Sequence, residues 1–343
     1  MATVNSREFK FLNHHPRSVI EPTRLPSTPY AFLLGERISH SLSPHVHHVF
    51  WNHMQLRWQF YLLDTPDVDA CFKELQSPNC VGCSITMPHK VTGLRFVDNL
   101  TEEARIIGAI NTIYLRDNPS SNSRTYIGAN TDCIGIRDSF LRAFPGVEEI
   151  CRGQPALVIG AGGTSRAAIY ALWKFFDVST IYLINRSFSE IEEVVKSMSE
   201  GGCTTELLPL TTLDQASSLD VPRLIVGTTP DLPAESAEEK HAQKLISITL
   251  HKLTRVGDRD GYLLDMCYYP SPHTNLMKAA EMSGWQTVSG VEAVKYQAVA
   301  QNRLWSSKPV SELAIKEVSN VIEATLHQCN YLNNCSRERK SLD

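Results

Sequence analysis

The chain has 343 residues, 42% hydrophobic and 20% charged, with a formal net charge of −4. That length favours two domains over a single core, and the near balance of charge offers no basic stripe for nucleic acid. No apolar run approaches the roughly 20 residues that a transmembrane helix needs, which leaves a small-molecule ligand as the expected partner of a monomer or homodimer.

Residues 1–28 are polar and punctuated by prolines, the composition of a disordered extension. They hold no apolar stretch of secretory type, so the cytoplasm is the expected location. From residue 29 the pattern becomes regular. "YAFLLGE" reads as a buried strand, and the serine-rich "RISHSLSPH" leads into a helix reaching about Trp51. "WQFYLLD" is a second strand, "DVDACFKELQ" has helical spacing, and "CVGCSIT" is a third strand. A helix follows in "TEEARIIGA", with Thr101 and the acids after it as its start, and "INTIYLR" and "TYIGANT" form a hairpin over "DNPSSNS". Strands alternating with helices imply a three-layer α/β unit whose sheet is mainly parallel with an antiparallel edge.

Two clusters in this half invite a metal reading. His45 and His48 share a helix face, yet no cysteine or carboxylate lies within the run from His40 to His53, and Val46, Val49 and Phe50 facing inward explain the spacing. Cys80 and Cys83 in "CVGC" sit in strand rather than at a helix start. Nine cysteines, an odd number without repeating spacing, fit reduced thiols better than a disulfide framework. No metal is expected.

Residues 131–142, "TDCIGIRDSFLR", form a helix crossing into a second unit, a fresh series of strands and helices. It runs through "PALVIGAGGTSRAAIYALWKFF", "TIYLINRS", a helix over 188–199, "TTELLPL", "RLIVGTTP" and "YLLDMCYYP". This is the signature of a doubly wound Rossmann-type fold over residues 132–289. The helical "GVEAVKYQAVAQNRLW" and "SELAIKEVSNVIEATLHQC" return to the first unit, which takes 29–131 plus 290–335, and the tail 336–343 is expected to fray.

The glycine turn in "ALVIGAGGTSRAA" is the strongest single motif. Gly160 permits the tight turn out of the strand and Gly162 lets backbone approach a pyrophosphate, while Ser165 stands where a third glycine is usual. Lying between an apolar strand and an alanine-rich helix, it reads as a dinucleotide site with N–H groups facing the phosphates, rather than as a merely tight turn. The next strand ends "LINRS". A carboxylate there would bind the ribose 2′-hydroxyl, but the chain offers Arg186 and Ser187 and no acid until Glu190, which tilts NAD(P) binding toward NADP. An exposed arginine with no ligand is the alternative.

"SITMPHK" ends a strand at a proline and delivers Lys90. A lysine alone is most simply a solvated surface residue. The ordered set "SLSP", "SITMPHK", "GAINTI", "GANTDCIG", "GAGGTSRAA", "NRS", "MCYYP" and "YQ", spanning about residues 30 to 306, resembles the shikimate dehydrogenase family, most of all its fungal quinate/shikimate dehydrogenases. The resemblance implies reversible NAD(P)-dependent hydride transfer between quinate or shikimate and the corresponding 3-dehydro acid. It implies Lys90 and Asp132 as the catalytic pair, Ser41, Ser43 and Tyr268 at the substrate carboxylate, and Thr86, Asn111 and Gln297 on ring hydroxyls. Cofactor contacts would come from Gly160, Ala161, Gly162, Gly163, Thr164 and Ser165, from Asn185, Arg186 and Ser187, and from Thr228 and Gly290.

Taken singly, these residues have plainer readings. Ser39, Ser41 and Ser43 put their hydroxyls on one face if the segment is extended, and otherwise form a serine-rich turn. Asp132 also suits the N-cap of the helix it opens. Biosynthetic members of the family usually have Asn where Ser84 stands and a Met-Leu pair near Ala293 and Val294, and Ser187 stands where NADP-users have Thr and NAD-using quinate enzymes an acid. These departures remove no proposed catalytic group but blur substrate and cofactor choice; the alternative readings are a dehydrogenase of a modified shikimate-like acid, or a non-catalytic metabolite sensor.

Overall fold

The computed structural model describes residues 27–118, 123–255 and 261–340. The extension expected over 1–28 therefore falls outside the described residues except at its last two positions, and much of "DNPSSNS" does as well. In chain order the first unit contains β1 (Tyr30–Gly35), α1 (Ser43–His53), β2 (Gln59–Asp64), α2 (Asp69–Leu75) and β3 (Cys80–Ile85). A 3₁₀ turn over Thr92–Phe96 leads to β4 (Asn99–Leu100), α3 (Glu102–Ile107), β5 (Thr112–Asn118) and β6 (Ser123–Ala129). Next come α4 (Asp132–Ala143), α5 (Val147–Cys151), β7 (Ala156–Ile159), α6 (Gly163–Phe176), β8 (Thr180–Ile184), α7 (Phe188–Glu200) and β9 (Glu206–Pro209). They are followed by α8 (Leu213–Ser218), β10 (Leu224–Gly227), α9 (Ala237–Arg255), β11 (Tyr262–Asp265), α10 (Asn275–Met282), β12 (Gln286–Ser289), α11 (Gly290–Ser306) and α12 (Glu312–Lys340).

β1 shows why the first unit has three layers. Tyr30, Phe32 and Leu34 point into one apolar cluster with α2, while Ala31 and Leu33 point into another with Trp51 and Trp305. Both faces of the strand are buried, which explains a continuous apolar run in place of alternation. The sheet order is β2-β1-β3-β5-β6-β4. One expectation is corrected here: β5 runs antiparallel to both β3 and β6, and β6 then pairs in parallel with β4, so the reversed strand is interior and not an edge. The hairpin's return strand restores the common direction, and the two-residue β4 closes the border.

The second sheet has the order β12-β11-β10-β7-β8-β9 and is parallel throughout. In β7, Ala156 and Val158 face the α4 and α6 side, whereas Leu157 and Ile159 face the α9 and α10 side. The order reverses between β7 and β10, and the crevice at that switch point is where such folds bind ligands. Sequence pattern did not mark β4, α5, α8, α9, α10 or β12; α9 opens on "AEEKHAQK" and β12 is a four-residue border strand.

Two helices join the sheets. Gly135 of α4 lies against α11, where a Cβ would stand 2.6 Å from the Ala293 carbonyl oxygen, so only glycine allows this approach. Alpha-helical backbone continues to Lys340 in α12, and positions 341–343 of the expected frayed tail lie outside the described residues. α1 packs with α11 and α12 around Val46, Phe50 and Val318. Among the described residues no helix is long and apolar enough to cross a membrane, and no cluster of His, Cys, Asp and Glu is arranged to hold a metal.

Candidate active site

β3 ends at Ile85, and the chain then turns across the carboxyl edge of the first sheet. Backbone bonds pin this turn: Thr86 N–H donates to the Leu34 carbonyl at 2.8 Å, His89 N–H to Thr86 at 2.9 Å, and Ile110 N–H to the Lys90 carbonyl at 2.8 Å. The buried His89 ring adds an Nε2 contact to the Thr65 carbonyl at 3.0 Å. Lys90 is thereby fixed at its backbone and aimed inward; its side chain is 13% exposed.

The amine of Lys90 donates to Asp132 Oδ2 and, at 2.9 Å, to Thr164 Oγ1. Asp132, 3% exposed, accepts at its other oxygen from Asn111 Nδ2 at 2.8 Å. Asn111 Nδ2 also reaches Gln297 Oε1 at 3.2 Å. Its Oδ1 accepts from Thr131 N–H at 2.7 Å and from the Thr112 hydroxyl at 2.8 Å, while Gln301 Nε2 donates to Thr112 Oγ1 at 3.1 Å. A charged pair is thus desolvated, and the polar atoms around it are tied into one network. Thr131, Thr112 and Gln301 were not foreseen; Gln301 stands one helical turn after Gln297 on α11, a spacing that points to the same face.

Asp132 is not the N-cap of α4. Thr131 occupies that position and Asp132 is the first helical residue, its own N–H held by Asn130 Oδ1 at 3.1 Å. Its carboxylate is free to turn to Lys90 and Asn111, and the helix dipole favours the negative charge there.

The serine segment also differs from the extended row. Ser41 N–H closes a turn onto the Ile38 carbonyl at 2.9 Å, Leu42 takes a helical conformation, and Ser43 begins α1 just before Pro44. Ser41 Oγ accepts from Ser43 N–H at 3.2 Å, so the turn and not strand alternation sets the two side chains. Tyr268, reaching in from the loop after β11, meets the Ser41 hydroxyl and the Leu42 backbone, and burial pushes its phenol above the usual range. Beside it the Tyr269 ring stacks on His40 at 4.3 Å. Thr86 is half-buried next to Gly35, and the departure at Ser84 is buried, its hydroxyl donating to the Phe32 carbonyl at 3.4 Å.

The turn from β7 to α6 lies directly over Lys90: a Cβ at Gly163 would stand 3.0 Å from Lys90 Cβ. Gly160 has φ +115°, open to glycine, and a Cβ there would lie 2.4 Å from Thr228 Oγ1. Ser165 has its own task in place of the missing third glycine. Its oxygen accepts from Gly162 N–H at 3.1 Å, its hydroxyl meets Thr228 Oγ1 at 2.7 Å, and Thr228 in turn donates to the Ile159 carbonyl at 2.7 Å. The turn fits a dinucleotide pyrophosphate: a Cβ at Gly162 would meet nothing within 4 Å, leaving its backbone open beside the start of α6. Ala161 lines the same turn, and Gly290 opens α11 against the Met266 backbone.

Gly160 N–H donates to the Ile184 carbonyl at 2.8 Å, which sets the end of β8 beside the turn. There Asn185 Nδ2 donates to Glu190 Oε2 at 2.6 Å, and Ser187 caps α7 by accepting from Glu190 N–H at 3.4 Å. Arg186 is not a solitary exposed cation, because its Nη1 pairs with Glu239 Oε1 at 2.8 Å. Cys71, Cys80, Cys83, Cys133, Cys151, Cys203 and Cys267 are free thiols, and burial pushes Cys80 of "CVGC" up to about 12, which makes it inert.

A family model described as the shikimate dehydrogenase substrate binding domain matches residues 33–113. The quinate dehydrogenase of Emericella nidulans is 36% identical over 305 residues, 85% of this chain and 92% of that one. Among solved structures, the dehydroquinate dehydratase and shikimate dehydrogenase from S. pombe AroM is 31% identical with a TM-score of 0.66, covering 85% of this chain and 53% of that chain. The quinate dehydrogenase from Corynebacterium glutamicum in complex with NAD is 19% identical with a TM-score of 0.69 over 87% of this chain and 99% of that one, a likeness of fold.

Proposed function

Because the chain belongs to the shikimate dehydrogenase family, we propose that it is a quinate/shikimate dehydrogenase, oxidising a ring secondary alcohol of quinate or shikimate to the 3-dehydro ketone, or the reverse. The observation that carries this reading is the Lys90 amine, held by the buried Asp132 carboxylate and hydrogen-bonded to Thr164 of the glycine turn. A bound NAD or NADP would supply the hydride acceptor for the alcohol carbon, or the hydride donor in the reverse direction. Lys90 receives the hydroxyl proton as the alcohol is oxidised and delivers it as the ketone is reduced. Asp132 keeps the amine in place, and Asn111, held through both ends of its amide, presents a donor beside the same point. Gln297 and Thr86 extend that polar wall toward the ring hydroxyls. Ser41, Ser43 and Tyr268 take the carboxylate end.

The division that supports this chemistry is a substrate domain of residues 29–131 plus 290–335 and a dinucleotide domain of 132–289, with Gly160–Ser165, Asn185, Arg186, Ser187, Thr228 and Gly290 facing the cofactor. The expected lean to NADP rests on Arg186 and the lack of an acid at position 187, and the ion pair of Arg186 with Glu239 weighs against it. We read the catalytic unit as one chain, alone or in a homodimer, working in the cytoplasm. The test is a matrix of initial rates, quinate and shikimate each against NAD and NADP. Turnover of at least one hydroxy acid is expected; none with any of the four pairs would overturn the reading.

A further inference from the structure

We infer that Glu239, at the start of α9, sets the choice of nucleotide by holding Arg186 in a neutral ion pair and turning the ribose site toward NAD. The inference rests on the dehydrogenase reading above and adds a residue that lies more than fifty positions downstream of the strand end where an acid was sought.

The geometry is specific. Arg186 Nη1 donates to Glu239 Oε1 at 2.8 Å. The other oxygen of Glu239 accepts from the backbone N–H groups of Glu235 at 2.9 Å and Ser236 at 3.1 Å, while Glu239 N–H donates to Ser236 Oγ at 3.1 Å. The carboxylate is therefore anchored by main chain, not by the arginine alone, and it stays charged: these bonds and Arg186 bring its pKa down to about 2. A second carboxylate, Glu190, stands at the same strand end on Asn185 Nδ2 at 2.6 Å.

A 2′-phosphate carries a charge of about −1.5 to −2 at neutral pH. Around the end of β8 it would meet one guanidinium against two carboxylates, so to gain Arg186 it must displace or repel Glu239. A 2′-hydroxyl needs no cation. It can donate to a carboxylate, the role an acid at the end of the second strand usually fills in NAD-binding folds. Here the acid would come from a different helix, reaching back across the sheet.

The test is calorimetric binding of NAD, NADP, 5′-AMP and 2′,5′-ADP to the full chain, wild type and Glu239→Gln, with kcat/KM for both dinucleotides alongside. Glutamine keeps an oxygen for the Glu235 and Ser236 N–H groups and removes the charge. Wild type should bind NAD at least tenfold more tightly than NADP, and Glu239→Gln should shrink that ratio at least fivefold, with a matching gain for 2′,5′-ADP over 5′-AMP. Wild-type preference for NADP, or a ratio unmoved by the substitution, overturns the assignment while leaving a working dehydrogenase. Binding of neither dinucleotide would instead remove the dehydrogenase reading, and the assignment with it.

Discussion

Replacing Lys90 with methionine keeps an unbranched stem and removes the amine. Two losses follow. General acid–base help is worth about 10²–10⁴ in rate, or roughly 2.7–5.5 kcal/mol of barrier. Stability falls too, because the Asp132 carboxylate, 3% exposed, keeps only its bond from Asn111. A fully buried ion pair broken on one side costs about 3–5 kcal/mol; with Lys90 itself 13% exposed, about 2–3 kcal/mol is the fitting figure for this site. Asp132→Asn sets an amide against the Lys90 amine or the Asn111 amide, and in either orientation two donors face each other. Since both residues act on one proton, the losses should not add: the double variant should be within about tenfold of the worse single one. The assay is the initial rate of alcohol oxidation with saturating dinucleotide, with urea unfolding to verify a folded chain. A folded Lys90→Met enzyme within tenfold of wild-type turnover, or losses that multiply in the double variant, would refute the shared role.

Other expectations follow from single contacts. Ser165→Ala removes the acceptor of Gly162 N–H and one partner of Thr228 Oγ1, which keeps its bond to the Ile159 carbonyl; at this part-buried turn it should cost about 0.5–1.5 kcal/mol in urea unfolding and weaken dinucleotide binding, and unchanged values in both would count against the account of the turn. Gly163→Ala sets a methyl 3.0 Å from Lys90 Cβ and 3.3 Å from its Cδ, so kcat should fall at least about tenfold through a misplaced amine; an unaltered kcat would show that the turn does not position Lys90. His47, fully buried and stacked on Phe60 at 4.5 Å, has its pKa lowered by burial to about 3. The unfolded chain takes up the proton near pH 6.5 and the native one does not, so this contribution to stability is complete above that pH and shrinks as pH falls. The loss between pH 6.5 and 5 should be roughly 2 kcal/mol. His47→Phe should flatten that part of the profile, and an identical slope in both proteins would discount His47 as its source.

The elements most legible in the sequence are those whose pattern is decided locally. β1 and β7 are apolar runs because both of their faces are covered, and the glycine turn announces itself because Gly160 needs a positive φ next to Thr228. β12 and α9 were silent, one a short border strand and the other a helix opening on charge. The reversed strand was visible but not its interior position, since nothing local says that β4 will add beyond β6. At the site, Lys90 and Asp132 were named through resemblance; the sequence left the serine segment open between an extended row and a turn, and the capping place of Thr131 departed from expectation, because each is settled by a hydrogen bond to a neighbour's backbone.

By itself, then, the sequence determined most of the strands and helices, where the glycine turn lies, and which titratable residues stand ready at strand ends. Those are consequences of side-chain period, backbone freedom and capping, all acting over a few residues. Only the tertiary structure decided what each group touches: that Lys90 meets Asp132 and Thr164, that Ser165 ties Gly162 to Thr228, and that Arg186 is already partnered by Glu239. Charge, desolvation and hydrogen bonding depend on distances across the fold, and residues far apart in the chain acquire those distances only when the two sheets and the α4–α11 crossing are in place.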